Sequence, residues 1–126
     1  MKEIMAVIRM NKINHTKKAL IDAGVSSMTA LEALGRGKGL VNMDLLKGAE
    51  MGYEEAIAQL GQSDRLIPKR AIFLVVPDKL VKKTVDTIIE ANHTGKSGDG
   101  VIWVMPTFDA ISVRTAEHGN KVLDEF

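Results

Sequence analysis

Two glycine-rich stretches hold most of the chemistry that this sequence offers: GRGKG at 35–39 and TGKSGDG at 94–100. Glycines let backbone N–H groups approach an anion closely, and Arg36 and Lys38 would supply the charge that a phosphate needs. A solvated turn accounts for GRGKG equally well, since it is not GxGxxG. Gly95-Lys96-Ser97 resembles the end of a phosphate loop, but that signature requires a further glycine where Glu90 stands. It also requires a strand before and a helix after, whereas this stretch closes a helix, so it reads as a turn. A third cluster, Arg65, Lys69 and Arg70 in RLIPKR, adds cations whose bland reading is a solvated face. His15, His93 and His118 have no metal-ligand spacing, and no nucleophile–base pair or carboxylate pair stands out. The residue types therefore name no actors for catalysis.

The elements that position these groups belong to one small domain. With 126 residues, 45% of them hydrophobic, the chain has apolar mass for one core. Seventeen basic and 16 acidic side chains give a net charge of +1, so there is no global pull toward nucleic acid or an anionic membrane. Aromatic residues at 4% argue against a base-stacking surface, and the lack of cysteine excludes disulfides and thiolate metal sites. The opening MKEIMAVIRMNK is too short an apolar run for a signal peptide, and no run reaches membrane-spanning length. A cytoplasmic protein is expected.

Lys2 to Arg9 reads as a buried strand. Asn11 and Asn14 offer caps for a helix over HTKKALIDAG, with Ala19, Leu20 and Ala23 on one face and Gly24 as its terminator. Ser27 to Leu34 has a helical composition but an alternating pattern. Ala71 to Val76 is the clearest strand, and Pro77 and Asp78 start a helix that places Leu80, Val81, Val85, Ile88 and Ile89 on one face. A loop over 92–100 leads to a buried strand from Gly100 to Met105; Ala110 to Thr115 reads as an edge strand or hairpin partner, and the tail from Glu117 is expected to fray. Reading Ser27–Leu34 as a strand makes the chain two copies of strand-helix-strand. That is the ferredoxin-like double βαβ arrangement, an α+β fold with one antiparallel sheet and both helices on one face. The apolar strands predict an uncovered sheet face that self-association would bury.

Between the two copies lies an insertion, Gly35 to Arg70, too long to be a simple hairpin. Within it YEEAIAQL carries Tyr53, Ala56, Ile57 and Leu60 at helical spacing, packed either on its own core or on a partner.

The duplication, the G-x-G entry to the central loop, VVPD at 75–78, TGKSGDG followed by VIWV, and SVRT at 112–115 together resemble the PII signal-transduction proteins over nearly the whole chain. RLIPKR, GRGK and the opening MKEIMAVIRMNK resemble the nitrogenase-associated NifI branch, in its longer-looped subunit. The resemblance implies one PII-like domain over 1–126, with a T-loop at about 36–67, a B-loop at about 93–100 and a C-terminal loop at about 112–126. It implies a homotrimer, or a mixed oligomer with a sister subunit, and ATP or ADP bound between subunits, with Mg and 2-oxoglutarate. The T-loop would dock on a nitrogenase component and inhibit it according to nitrogen status, making the protein an enzyme regulator. Nucleotide-site positions that carry over are Val7, Thr29, Gly35, Gly37, Lys38, Lys69, Val75, Gly98, Asp99, Gly100 and Arg114; partner contacts fall on Arg36, Tyr53, Ile57, Leu60, Arg65 and Arg70. A divergent member that regulates a transporter or metabolic enzyme is the alternative.

The departures from the family pattern bear on affinity. Gly39 stands where many relatives have a Gln for metal and 2-oxoglutarate, Val101 where a Lys follows GDG, Ser112 where an RxR pair begins, and Phe73 where an acidic residue often faces the adenine. Two lost cations at about 1.5–3 kcal/mol each weaken nucleotide binding by one to several orders of magnitude. Met51 follows GAE, so the uridylylated tyrosine of some relatives has no counterpart and Tyr53 is out of register.

Overall fold

The computed structural model describes residues 1–37, Gly52 and 66–124. Four strands, β1 (Lys2–Arg9), β2 (Thr29–Gly35), β3 (Ile67–Val76) and β4 (Val101–Pro106), form one sheet in the order β2-β3-β1-β4. β1 pairs antiparallel with both β3 and β4, in the registers Val7↔Ala71 and Val7↔Val101. With α1 (Ile13–Asp22) and α2 (Val81–Asn92) this is the ferredoxin-like arrangement expected from the duplicated pattern. Two compact units divide the chain: Met1–Ala33 with Lys69–Phe126, which holds the core, and Leu34–Pro68.

Strand alternation decides which side of the sheet is covered. Ile4, Ala6 and Ile8 of β1 and Ile72, Leu74 and Val76 of β3 are buried with Leu20, Val25, Leu80 and Ile88 in one core. The intervening residues face the other way, and there Met5 stands opposite both Phe73 and Trp103. Trp103 and Val101 are 45% and 48% exposed, so this second face is apolar and uncovered in a single chain.

Helix entry differs from the reading of the sequence. Neither Asn11 nor Asn14 caps α1, because a 3-10 turn over Met10–Lys12 runs straight into it and Ile13 N–H bonds to the Met10 carbonyl. Asp78–Leu80 forms the same kind of turn before α2. Gly24 does end the first helix, at φ 87°, while Val25 N–H donates to the Leu20 carbonyl at 2.9 Å and its side chain enters the core. Ile89 is 50% exposed, and the inward face carries Thr84 instead, because 3.6-residue periodicity aligns 84 with 81, 85 and 88. Buried Thr84 bonds back to the Leu80 carbonyl at 2.7 Å. Asn92 Nδ2 donates to Thr16 Oγ1 at 2.9 Å, which ties the two helices together.

The C-terminal region departs most. Ala110–Thr115 forms no strand: only Ile111 bridges to His118, around a turn in which Ser112 N–H donates to the Glu117 carbonyl at 2.8 Å. Val113 alternates with its neighbours yet is fully exposed, so the alternation marks no sheet face. Nor does the tail fray over its described residues, 117–124. It forms a turn at Asn120–Val122, and the Asp124 carboxylate then accepts from Ser26 N–H and Ser27 N–H, both at 3.0 Å, and from Ser26 Oγ at 2.7 Å.

Candidate functional site

The loop between α2 and β4 is built around one carboxylate. Asp99 Oδ2 accepts from the Thr94 and Gly95 amides at 2.9 and 3.0 Å, and Oδ1 accepts from Thr94 Oγ1 and Arg9 Nη1. Arg9 ends β1 and also donates to the Ser97 carbonyl at 2.9 Å. The Thr94 hydroxyl and amide, and then the Arg9 guanidinium, hold the Asp99 carboxyl well below the usual carboxylate range. Every acceptor position of Asp99 is thus turned into the loop, which fixes its shape.

Lys69 lies directly opposite Arg9 in the β1–β3 register. Its side chain is nearly buried, and Nζ donates to the Gly98 carbonyl at 3.1 Å. No carboxylate pairs with it among the described residues. A buried ammonium balanced only by a carbonyl favours an arriving anion. The glycines beside it are required by geometry. A Cβ on Gly100, at φ 115°, would lie 2.1 Å from the Val7 carbonyl oxygen, and one on Gly98 would crowd Arg9 Nη2 at 3.3 Å. Among the described residues no acceptor meets the Gly98 or Asp99 N–H. Lys69, Val7, Gly98, Asp99 and Gly100 therefore come together in one corner of the sheet end.

Thr29 and Val75 meet elsewhere, in a pocket of about 360 Å³ that also takes in Glu3, Met28, Phe73 and Leu123. Val75 is six positions along β3 from Lys69, roughly 20 Å at strand rise. A single chain does not join the two groups. Leu123 brings the tail to this pocket, and the next residue, Asp124, ties the tail to Ser26 and Ser27. Its partial burial pushes the carboxyl up, but the Ser27 and Ser26 hydrogen bonds outweigh this and leave it below the ordinary value.

Gly35 ends β2 with Arg36 and Gly37 beyond it, and Arg114 is exposed on the C-terminal turn. Arg70 Nη1 donates to the Lys69 carbonyl at 3.2 Å, and its guanidinium lies 3.8 Å from the Glu32 carboxylate. Lys38, Gly39, Tyr53, Ile57, Leu60 and Arg65 fall outside the described residues. Arg9, Thr94, Glu3 and Asp124 were not legible as site residues; a cation ending an apolar strand was the only signal, and it named no partner. No cluster of metal-ligating side chains occurs among the described residues.

The family model of nitrogen regulatory protein P-II matches residues 1–117. The chain belongs to the P-II family. It is 44% identical to nitrogen fixation nifHD region GlnB-like protein 2 of Methanobacterium ivanovii, over 98% of this chain and 99% of that protein. Identity to the protein of the same name from Methanococcus maripaludis is 42%, over 98% and 100% of the two chains. Against nitrogen regulatory protein P-II 1 of Escherichia coli K12 it is 35%, over the same shares. Family membership and these names support a nitrogen-regulatory role.

Within this P-II chain the departures have structural counterparts. Val101 begins β4 and is half exposed, and Phe73 is part of the wall that holds Thr29 and Val75. Ser112 Oγ accepts from the Thr115 N–H at 3.3 Å, so its hydroxyl closes a turn.

Proposed function

We propose that this chain is a P-II regulator that binds and inhibits a nitrogenase component through the loop at 36–67, under control of ATP or ADP and 2-oxoglutarate. The observation that carries the nucleotide part is Lys69, a nearly buried ammonium whose partner is the Gly98 carbonyl, beside glycines that admit no side chain. The residues fit a polyphosphate: Lys69 and the Gly98 and Asp99 amides would hold its oxygens, while the pocket of Thr29 and Val75 suits a base. When bound, the nucleotide supplies negative charge that Lys69 lacks. Arg114 and Lys38 would add charge from the C-terminal turn and the loop entry. A nucleotide that touches both groups lies between two copies, which favours a trimer, or a mixed oligomer with a sister subunit, closed over the apolar sheet face. Mg and 2-oxoglutarate would join at the loop entry, with lowered affinity given Gly39. The nifHD-region names of the relatives support this choice of target.

Purified protein, together with its sister subunit, is expected to lower dinitrogenase turnover at low 2-oxoglutarate and to release it when 2-oxoglutarate and ATP are added. Unchanged turnover under every effector condition overturns the target. A second reading, a P-II protein regulating a transporter or metabolic enzyme without nucleotide sensing, is favoured by Val101 and Ser112, which replace cations. Calorimetry with no heat at millimolar ATP or ADP, in the presence of the sister subunit, decides for it.

A further inference from the structure

Among the described residues, one half-buried carboxylate in the sheet has no group that balances it. Asp78 receives Lys2 and the N-terminus, Asp99 receives Arg9, Asp124 receives Ser26 and Ser27, and Glu32 lies near Arg70. Glu3 receives no cation or hydrogen-bond donor among the described residues. It stands opposite Val75 and Met105 on the uncovered face and lines the pocket of about 360 Å³. Around it the lining is Phe73, Leu74, Val75, Met28 and Leu123, with Ser27 and Thr29 as its uncharged polar members. A carboxylate partly withdrawn from water and left without a donor costs free energy that a ligand's N–H group recovers.

The two kinds of wall define the occupant. Phe73 and Leu123 suit a flat apolar body, and Glu3 requires a donor on its edge and repels a carbonyl oxygen there. A planar nitrogen heterocycle with an exocyclic amine meets both demands. We propose that Glu3 reads the base: its carboxylate accepts from the exocyclic amine of an aminopurine that lies against Phe73. This inference rests on the nucleotide reading above and names the residue that makes the pocket selective. It also assigns a polar determinant to a pocket in which position 73 is a phenylalanine.

The test compares ATP with ITP, which carries a 6-oxo group in place of the 6-amino group and the same triphosphate. Contacts to Lys69 and Gly98 cancel in that ratio. Calorimetry on the assembled protein is expected to show ATP bound about ten-fold or more tightly than ITP, because a site built to accept a hydrogen bond rejects an analogue that lacks the donor. In Glu3→Gln the side-chain amide can turn to serve either an amine or a carbonyl, so the ratio falls to about one. Glu3→Ala, with neither group, is expected to show the same loss of discrimination. If E3Q keeps the full ATP preference, the inference is overturned while nucleotide binding stands. If E3Q lowers the assembly mass, Glu3 pairs with a cation of another copy and the inference is likewise overturned. Wild-type protein that binds neither nucleotide removes the nucleotide reading and this inference with it. Matching circular dichroism and melting of E3Q and wild type show that the fold is intact.

Discussion

Arg9 and Asp99 are 90 positions apart in the chain and meet at 2.5 Å. Each side chain is 25% exposed, so the pair is sheltered enough to hold its geometry without the full cost of burying charge. The end of the first strand thereby sets the shape of the loop before the last one. Lys69 reaches the same loop from the neighbouring strand, and the two cations do different work. Arg9 fixes the loop through its carboxylate, and Lys69 donates to the Gly98 carbonyl with no carboxylate partner among the described residues.

Arg9→Lys keeps the charge but loses the planar fork that serves Asp99, Ser97 and Thr94 together. Amide exchange at Thr94 and Gly95 should rise about ten-fold or more while the core helices keep their protection. NMR-detected exchange checks this, and unchanged loop protection would show that Arg9 is not its anchor.

Acid should loosen the same loop. The folded-state value of Asp99 lies below the unfolded carboxylate value of about 3.9, and those of Asp78 and Asp124 are also lowered, so the fold prefers all three charged. Their contribution is complete above about pH 5 and is lost as pH falls through about 4 and below. Urea midpoints should be flat from pH 7 to 5 and then drop. Asp99→Asn should be less stable at pH 7 and show a shallower acid decline.

The corner around Lys69 and Gly98 shows what the sequence does and does not reveal. Gly98 and Gly100 were legible because TGKSGDG is an unusual composition, and the paired strand-helix-strand pattern led to the antiparallel sheet with two helices. Arg9 was not legible, since its partner is set by register and tertiary contact rather than by spacing. Val7 contributes its carbonyl beside Gly100, which no side-chain pattern can announce. The Asn11 and Asn14 caps failed because 3-10 turns took over helix entry, and 110–115 failed because alternation without a neighbouring strand makes no ladder. Glu3 is not legible for a related reason: a charge in a strand looks like a solvated edge until the register places it beside a pocket.

Gly100→Ala and Gly95→Ala should differ sharply. At Gly95, φ is 82° and no atom lies within 4 Å of an added Cβ, so only the left-handed penalty of about 1–2 kcal/mol applies. At Gly100 the Cβ meets backbone at 2.1 Å, which cannot rotate away. A cost of about 3 kcal/mol or more is expected, with β1 and β4 prised apart. Urea denaturation of both variants checks the order, and equal losses would refute it.

The uncovered face predicts assembly through Met5, Phe73 and Trp103, which stand in one row across three strands. Trp103→Asp would place a charge where copies meet, at a cost of several kcal/mol if it is left unpaired. Sedimentation should show the native protein as an oligomer and the variant as smaller species, with circular dichroism unchanged. Native tryptophan emission should shift to longer wavelength on dissociation. An assembly of unaltered mass in W103D would place the interface elsewhere.

Asp124 predicts that the tail is a structural part of the pocket that holds Thr29 and Val75. It accepts from the Ser26 and Ser27 amides and the Ser26 hydroxyl, and the preceding Leu123 forms part of the wall beside Phe73 and Val75. Asp124→Ala should free the tail at a cost of about 1–2 kcal/mol, since these bonds are solvent-accessible and water replaces them in part. The local effect should be larger than the global one: exchange at Ser26 and Ser27 should accelerate by about ten-fold while Ile88 in α2 stays protected. Leu123→Ala leaves the clamp intact but removes part of the wall, so nucleotide affinity should fall without faster exchange at Ser26. If Asp124→Ala changes neither exchange nor affinity, the tail only rests on the surface. A fall in affinity with L123A alone would separate the wall from the clamp.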